Sequence, residues 1–166
     1  MLTKYIQQHI CQVELLKWNT PCENVKFLIS NFEHDVLSIS KSWLLTEFEV
    51  KISKSDFKAD FSKSKTPYYQ KKNPRMTPNY FYYVCPANLI DIKDIPEYAW
   101  LIYVDNEEFW KLKYINTDRH HLRVIKKAPR LHSLKRDKLS MLEKFHRLIS
   151  ERKYFWWKTI FTYHNT

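Results

Sequence analysis

Glycine is absent from the 166 residues, where average usage of about 7% would supply roughly a dozen. No Gly-rich phosphate loop of the P-loop or dinucleotide type can form, which removes simple NTPase and Rossmann oxidoreductase readings. Turns that need positive φ are expected to fall to Asn or Asp. Cysteine is scarce: Cys11, Cys22 and Cys85 are an odd number with no CxxC pair, which argues against a disulfide framework or a Cys-rich zinc site. No apolar run approaches the roughly 20 residues of a membrane span. The first 18 residues, MLTKYIQQHICQVELLKW, lack the apolar block and small-residue cleavage site of a signal peptide. A cytoplasmic chain with no membrane partner is the expectation. Acid is shortest in the C-terminal third. Residues 111–166 hold 15 Lys+Arg against 4 Asp+Glu, while residues 1–110 hold 13 against 14.

The overall formal charge is +10, and its segregation points to a polyanion partner, nucleic acid first among them. A second basic stretch runs from Lys51 to Arg75, with eight basic residues against Asp56 and Asp60. Hydrophobic residues make up 44%, enough to argue against global disorder. The length fits one domain over 1–166, with a core over about 3–105 and a basic C-terminal extension over about 106–166.

Ile6, Ile10, Val13 and Leu16 recur at three- and four-residue spacing, which predicts a helix over 3–18 stopped before Pro21. Strands are expected over Val25–Phe32, Asp35–Ser40 and Trp43–Ser53, with a turn at Asn31–His34. Ser53 has the character of a helix N-cap, with Asp56 at the capping-box position. The helix it opens, about Lys54–Ser64, is expected to bury Phe57 and Phe61 at i and i+4. Thr66–Pro78 carries three prolines and reads as an irregular basic loop. Asn79–Cys85 is an aromatic central strand, Tyr98–Val104 another, and Lys111–Ile115 and Leu122–Lys126 are weaker ones. Leu134–Tyr154 has a helical pattern with a basic face. The order gives an α/β chain, a central mixed sheet flanked by helices.

Glu49 and Lys51 lie two apart on an expected strand, so their side chains share a face. A hairpin can bring Asp35 beside them. Two carboxylates and an ammonium at one sheet edge suit metal-dependent phosphodiester hydrolysis. The carboxylates would hold Mg²⁺ or Mn²⁺, and the lysine would orient the attacking water or stabilise negative charge. Glu47 shares the parity of Glu49 and is a further candidate acid. The competing reading of the triplet is a cross-strand salt bridge on a solvated face.

Asp35, Glu49-Val50-Lys51 and the following SKSDFKAD (Ser53–Asp60) together resemble the PD-(D/E)XK nuclease superfamily, in particular the MmcB-like DNA repair endonuclease group and its bacterial and phage relatives. NYFYYVCP (Asn79–Pro86), IPEYAWLIYV (Ile95–Val104) and KKAPRLH (Lys126–His132) fit the same pattern, so the resemblance spans about residues 23–132. It implies a restriction-endonuclease-like αβββαβ core and DNA as the substrate class. It implies Asp35 and Glu49 as metal ligands, with the Val50 carbonyl beside them and Lys51 as the catalytic lysine. Many members add an acid from the first helix. Glu14 is the candidate, with Glu23 and Glu33 as alternatives. The chain departs from the group at Ser42-Trp43, where a small residue is usual in the turn between the second and third strands.

Candidate nucleic-acid contacts are Lys54, Lys58, Lys71, Lys72, Arg75, Lys126, Lys127 and Arg130, joined by Lys138, Lys144, Arg147 and Arg152 on the last helix. Tyr68 and Tyr69 sit in the basic loop, where an exposed ring can stack on a base. Asp56 and Asp60 are read as helix-terminal and surface acids, with fixing Lys51 or Lys54 as the alternative. Asp118, His120 and His121 make a poor metal site, because adjacent side chains on a strand diverge. His132 is read as a loop histidine, with phosphate contact as the alternative, and Cys85 as a buried apolar group. The expected activity is a Mg²⁺-dependent DNA endonuclease, in repair, recombination or phage–host conflict. A homodimer is compatible with it. The alternatives are a catalytically inactive nucleic-acid-binding protein of the same fold and a module whose basic face binds an acidic protein.

Overall fold

The computed structural model describes residues 2–26, 32–63, 66–105, 122–137, 139–141, 143–144 and 146–147. The chain forms two compact units, residues 1–135 and 136–166. The first opens with helix α1 (Leu2–Leu16), whose inward stripe includes Ile6, Ile10 and Val13. Three strands follow, β1 (Thr20–Lys26), β2 (Glu33–Ile39) and β3 (Leu45–Val50). Two short helices, α2 (Lys54–Asp60) and α3 (Thr66–Gln70), lead to β4 (Tyr80–Pro86), β5 (Trp100–Val104) and β6 (Leu122–Lys126). The architecture is mixed α/β.

The six strands lie in chain order in one sheet. β1, β2 and β3 form an antiparallel meander. β4 and β5 run parallel to β3, and β6 turns back antiparallel to β5. Each face of the sheet has its own core, as the two-residue side-chain period requires. Even-numbered Val36, Phe48, Val50, Val84, Ile102 and Val104 meet Ile6, Ile10 and Cys11 of α1. Odd-numbered Phe81, Tyr83, Cys85, Leu101 and Tyr103 meet Phe57 of α2 and Tyr69 of α3. That second core is aromatic, with Phe57–Tyr83, Phe81–Tyr83 and Tyr69–Phe81 packed edge-on at 4.7–5.1 Å between centroids. Each such pair adds about 0.5–1.5 kcal/mol beyond its burial.

Several boundaries differ from the sequence expectation. The first strand begins at Thr20 and includes Pro21, because β1 is an edge strand and an edge position tolerates a missing donor. Glu33 and His34 pair with Lys26 and Val25, so the turn lies ahead of them; residues 27–31 are outside the described residues. Ser53 caps α2 as read, its Oγ accepting from the Asp56 N–H at 3.1 Å. The helix ends at Asp60, and Phe61 is 41% exposed rather than buried. The proline-punctuated stretch contains α3. Lys111–Ile115 lies outside the described residues.

Positive φ is found at Asn24 and Asn88, but also at Trp18, Trp43 and Lys72. Trp18 terminates α1: its N–H donates to the Leu15 carbonyl at 2.9 Å and the Asn19 N–H to the Glu14 carbonyl at 3.0 Å. This is a Schellman ending, which ordinarily selects glycine. Lys41 lies 5.1 Å from the Trp18 ring. Trp43 closes the β2–β3 hairpin, donating to the Ser40 carbonyl at 2.9 Å. Local hydrogen bonds hold both indole-bearing residues in a conformation that costs a non-glycine residue about 1–2 kcal/mol.

In the second unit, the Ser140 N–H donates to Asp137 Oδ2 at 2.8 Å, and residues 139–141 are helical. The helix therefore starts at an Asp137 cap and not at Leu134.

Candidate functional site

Asp35, Glu49, Val50 and Lys51 come together where β2 and β3 part. The ladder ends with Val36 opposite Phe48. Beyond it the Asp35 side chain takes over, Oδ2 accepting from the Val50 N–H at 2.7 Å. Gln7 of α1 donates to Asp35 Oδ1 at 3.3 Å and to Asn24 Oδ1 at 3.2 Å. Lys51 follows the end of β3, its N–H held by the Val84 carbonyl at 2.9 Å.

Behind these residues lies a buried polar cluster. Lys51 is 1% exposed, and its Nζ donates to Glu49 Oε1 at 2.9 Å and Asp60 Oδ1 at 3.0 Å. Asp56 Oδ1 lies 3.7 Å from the same nitrogen. Asp60, in the last turn of α2, also accepts from the Tyr83 hydroxyl at 2.9 Å. Burial, and after it the Asp60 charge, pushes the Tyr83 phenol far above its ordinary range. Lys63 completes the cluster, 3.2 Å from Glu49 Oε1 and bonded to Asp60 Oδ1. Taking these charges from water costs several kcal/mol per ion, so the set is stable only while mutually paired. The capped α2 turn sets Asp56 and Asp60 on one helix face at i and i+4, which is why a short helix can deliver both.

The cluster opens on a cleft of about 330 Å³ lined by Thr3, Asp35, Glu49, Val50, Lys51, Ile52, Ser53, Asp56 and Lys63. Among the described residues there is no group of three or more His, Cys, Asp or Glu placed to hold a metal ion. Three carboxylates, those of Asp35, Glu49 and Asp56, line the cleft beside the Val50 main chain without forming such a group.

Glu14 is not brought to the cleft. It is 4% exposed and accepts from Ser38 Oγ at 2.8 Å, Asn19 Nδ2 at 2.8 Å and Lys17 Nζ at 3.0 Å. Gln7, two helical turns earlier and about 10 Å away along α1, is the α1 residue at Asp35. Of the alternatives, Glu23 and Glu33 pair across β1 and β2 with Val36 and Lys26, and Glu33 meets Lys26 Nζ at 3.0 Å. Neither lines the cleft. Glu47 is fully buried, with His34 Nδ1 3.0 Å from its Oε2 and the Tyr69 hydroxyl donating to the same oxygen.

The basic and aromatic candidates divide. Lys54, Lys58, Lys71, Lys72, Arg75, Lys127 and Arg130 are exposed. Lys126 is half-buried, donating to the carbonyls of Ile95 at 2.5 Å and Pro96 at 2.8 Å, so its ammonium serves the fold. Tyr69 is 2% exposed and packs in the core; α3 turns it inward, which removes it as a base-stacking candidate. Tyr68 is half-buried and tilted against Phe32 at 5.9 Å. His132 spans Asn79 and the Thr77 carbonyl, a structural clamp. Asp118, His120, His121, Lys138 and Arg152 lie outside the described residues. Cys85 is buried, and burial pushes its thiol up to about 12. Sequence reasoning missed Lys63, Gln7 and Tyr83. Lys63 stood three residues past Asp60, the i,i+3 spacing that pairs charges on a helical turn.

No family model and no curated protein matches the chain. Its structure is similar to that of a protein of unknown function from Silicibacter pomeroyi. The TM-score is 0.59 at 14% identity, over 87% of this chain and 83% of that one. The likeness shows a shared fold. Among the described residues no helix is long and apolar enough to cross a membrane.

Proposed function

We propose that the chain is a Mg²⁺- or Mn²⁺-dependent nuclease of PD-(D/E)XK type that hydrolyses DNA phosphodiester bonds. The observation that carries this reading is the meeting of Asp35, Glu49, Val50 and Lys51 at one open cleft. Three strands of evidence from the residues support it.

The donor set fits the ion. Asp35 and Glu49 offer carboxylate oxygens and Val50 a carbonyl, all hard ligands. Mg²⁺ is commonly held by one or two carboxylates, keeping waters and substrate phosphate for its other positions. When bound, the ion supplies Lewis-acid polarisation of the phosphate and a more acidic water.

Lys51 is pre-positioned. Its ammonium, fixed between Glu49 and Asp60 at the cleft wall, stabilises negative charge developing on the phosphate without reorganising. Lys54 and Lys58 of α2, with Lys71, Lys72, Arg75, Lys127 and Arg130, add exposed basic surface. Such contacts hold the backbone and carry no sequence choice.

The test is cleavage of single- and double-stranded DNA and RNA with Mg²⁺ or Mn²⁺ by wild type, D35A and K51A. Wild type should cut DNA, and each variant should lose about 10³-fold or more in rate while still binding. A wild type that cuts no substrate with either ion overturns the enzymatic reading. If it still binds DNA, the alternative of an inactive nucleic-acid-binding protein takes its place.

A further inference from the structure

Two lysines close on the same pair of carboxylate oxygens. Lys51 Nζ lies 2.9 Å from Glu49 Oε1 and 3.0 Å from Asp60 Oδ1. Lys63 Nζ lies 3.2 Å from that same Glu49 Oε1 and pairs with that same Asp60 Oδ1. The four groups form a closed ring of alternating charge.

The two ammonium groups are not equivalent. The Lys51 side chain is 2% exposed and that of Lys63 is 42% exposed. Lys51 leaves the end of a paired strand. Lys63 sits in the turn after α2, where its N–H donates to the Asp60 carbonyl at 3.1 Å. Its flexible four-carbon stem can carry the ammonium outward with no backbone change. Both lysines line the cleft.

The carboxylates of Asp35, Glu49 and Asp56 line the cleft together with Lys51 and Lys63, hard oxygen donors of the kind a divalent cation takes. An incoming cation on Glu49 Oε1 would meet the Lys63 ammonium already there. Like charges at such separations repel by more than the pairing of an exposed lysine returns. A backbone phosphate entering the cleft offers the displaced ammonium a new partner.

We infer that Lys63 is a built-in stand-in cation: it holds Glu49 and Asp60 paired while the site lacks a divalent ion, and moves onto a substrate phosphate when the ion takes Glu49. The inference rests on the nuclease reading above and adds to it a residue that links metal loading to substrate capture. Lys63 is then a phosphate-contacting residue, while Asp60 and Tyr83 are positioning residues for Lys51.

The experiment is calorimetric binding of Mn²⁺ alone to the full chain, without nucleic acid, for wild type, E49Q, K63M, K63R and K4M. Lys4 neighbours cleft-lining Thr3 and is exposed, so K4M removes an equal charge from outside the ring. K63M should bind Mn²⁺ about threefold to fivefold tighter, the competition expected of one partly exposed ion pair. K63R and K4M should not tighten it. If E49Q abolishes binding and K63M leaves it unchanged or weaker, the stand-in role fails and the nuclease reading survives. If E49Q binds Mn²⁺ as wild type does, both fall together. Duplex binding in Ca²⁺ checks the second half. K63M should reduce the log–log salt slope by about one phosphate contact. An unchanged slope removes the phosphate role.

Discussion

Glu47 and Glu49 stand two residues apart on one face of β3, at 0% and 4% exposure, and they are used in opposite ways. Glu47 is enclosed by His34 and Tyr69, themselves at 0% and 2%. Both of these partners belong to the core. Glu49 is paired with one buried lysine and one half-exposed lysine, and its side chain lines a cleft. Desolvation is nearly the same for both carboxylates. The difference lies in whether a partner can be exchanged without unfolding the protein. Tyr69 cannot leave Glu47 without dismantling the aromatic core, whereas Lys63 can leave Glu49 by rotating its own side chain. A buried acid becomes available for chemistry when its outermost partner is a surface residue.

The sharpest way to break that contrast is to neutralise each acid in turn. E49Q should lower Mg²⁺-dependent cleavage by about 10³-fold or more, near 4 kcal/mol of transition-state stabilisation. E47Q should leave cleavage by the folded protein within about tenfold of wild type. It should instead cost about 1.5–3 kcal/mol of stability, the worth of hydrogen bonds to a charged group. Urea unfolding and initial cleavage rates on the two variants decide it. If E47Q abolishes cleavage while remaining folded, the assignment of roles is wrong.

How much of this could be read from the chain depends on how local each cause is. The α1 stripe at Ile6, Ile10 and Val13, the Ser53 cap and the shared parity of Glu49 and Lys51 follow from spacing alone and are in the structure, whereas Leu16, at the same spacing, is 51% exposed. Leu122–Lys126 is also in the structure, as β6 to the residue. The misplacements share a different origin. Pro21 marks the end of the helix, which does stop before it, but it also lies in β1, whose edge position admits it ahead of the expected start at Val25, and Tyr69 is a loop residue only if no helix forms between prolines. Lys126 read as a phosphate contact because nothing nearby in sequence announced the carbonyls of Ile95 and Pro96. Glu14 was favoured for its charge, yet Ser38 and Asn19 claim it, and neutral Gln7 reaches Asp35. Each of these was settled by a partner distant in sequence, which periodicity does not see. Positive φ at two tryptophans was likewise invisible, since hydrogen bonds across each turn, and not residue type, select it.

The buried phenols and the buried thiol should also respond together to alkali. Burial raises the phenols of Tyr69, Tyr82 and Tyr83 and the thiol of Cys85 above their ordinary values of 10.0 and 9.0. With folded values above unfolded ones, the native state keeps protons that the unfolded chain releases. Their contribution is therefore complete below about pH 9 and is lost as pH rises past the unfolded values. Each group adds about 1.4 kcal/mol per pH unit to the decline once its unfolded form has ionised. Urea midpoints from pH 8 to pH 11 should fall, and Y69F and Y83F should each make the fall shallower by one group. A flat profile would show that these phenols ionise in place.

The smallest effect separates the Glu47 enclosure from the Lys51 cluster by a single hydroxyl. In Y83F the Asp60 carboxylate loses one donor but keeps Lys51 and Lys63, so stability should drop by about 1 kcal/mol. In Y69F Glu47 loses a hydroxyl donor, and the drop should be larger, up to about 3 kcal/mol, because the remaining charge lies deeper. Both rings keep their edge-on aromatic packing, so the comparison isolates the oxygen. Activity should divide the other way. Y83F frees Asp60 to shift, and with it Lys51, so kcat should fall several-fold while KM holds; Y69F should leave both unchanged in the folded protein. Equal stability losses with equal kinetic losses would mean that the sheet face responds as one polar layer, and the distinction between an enclosed glutamate and an accessible one would lose its physical basis.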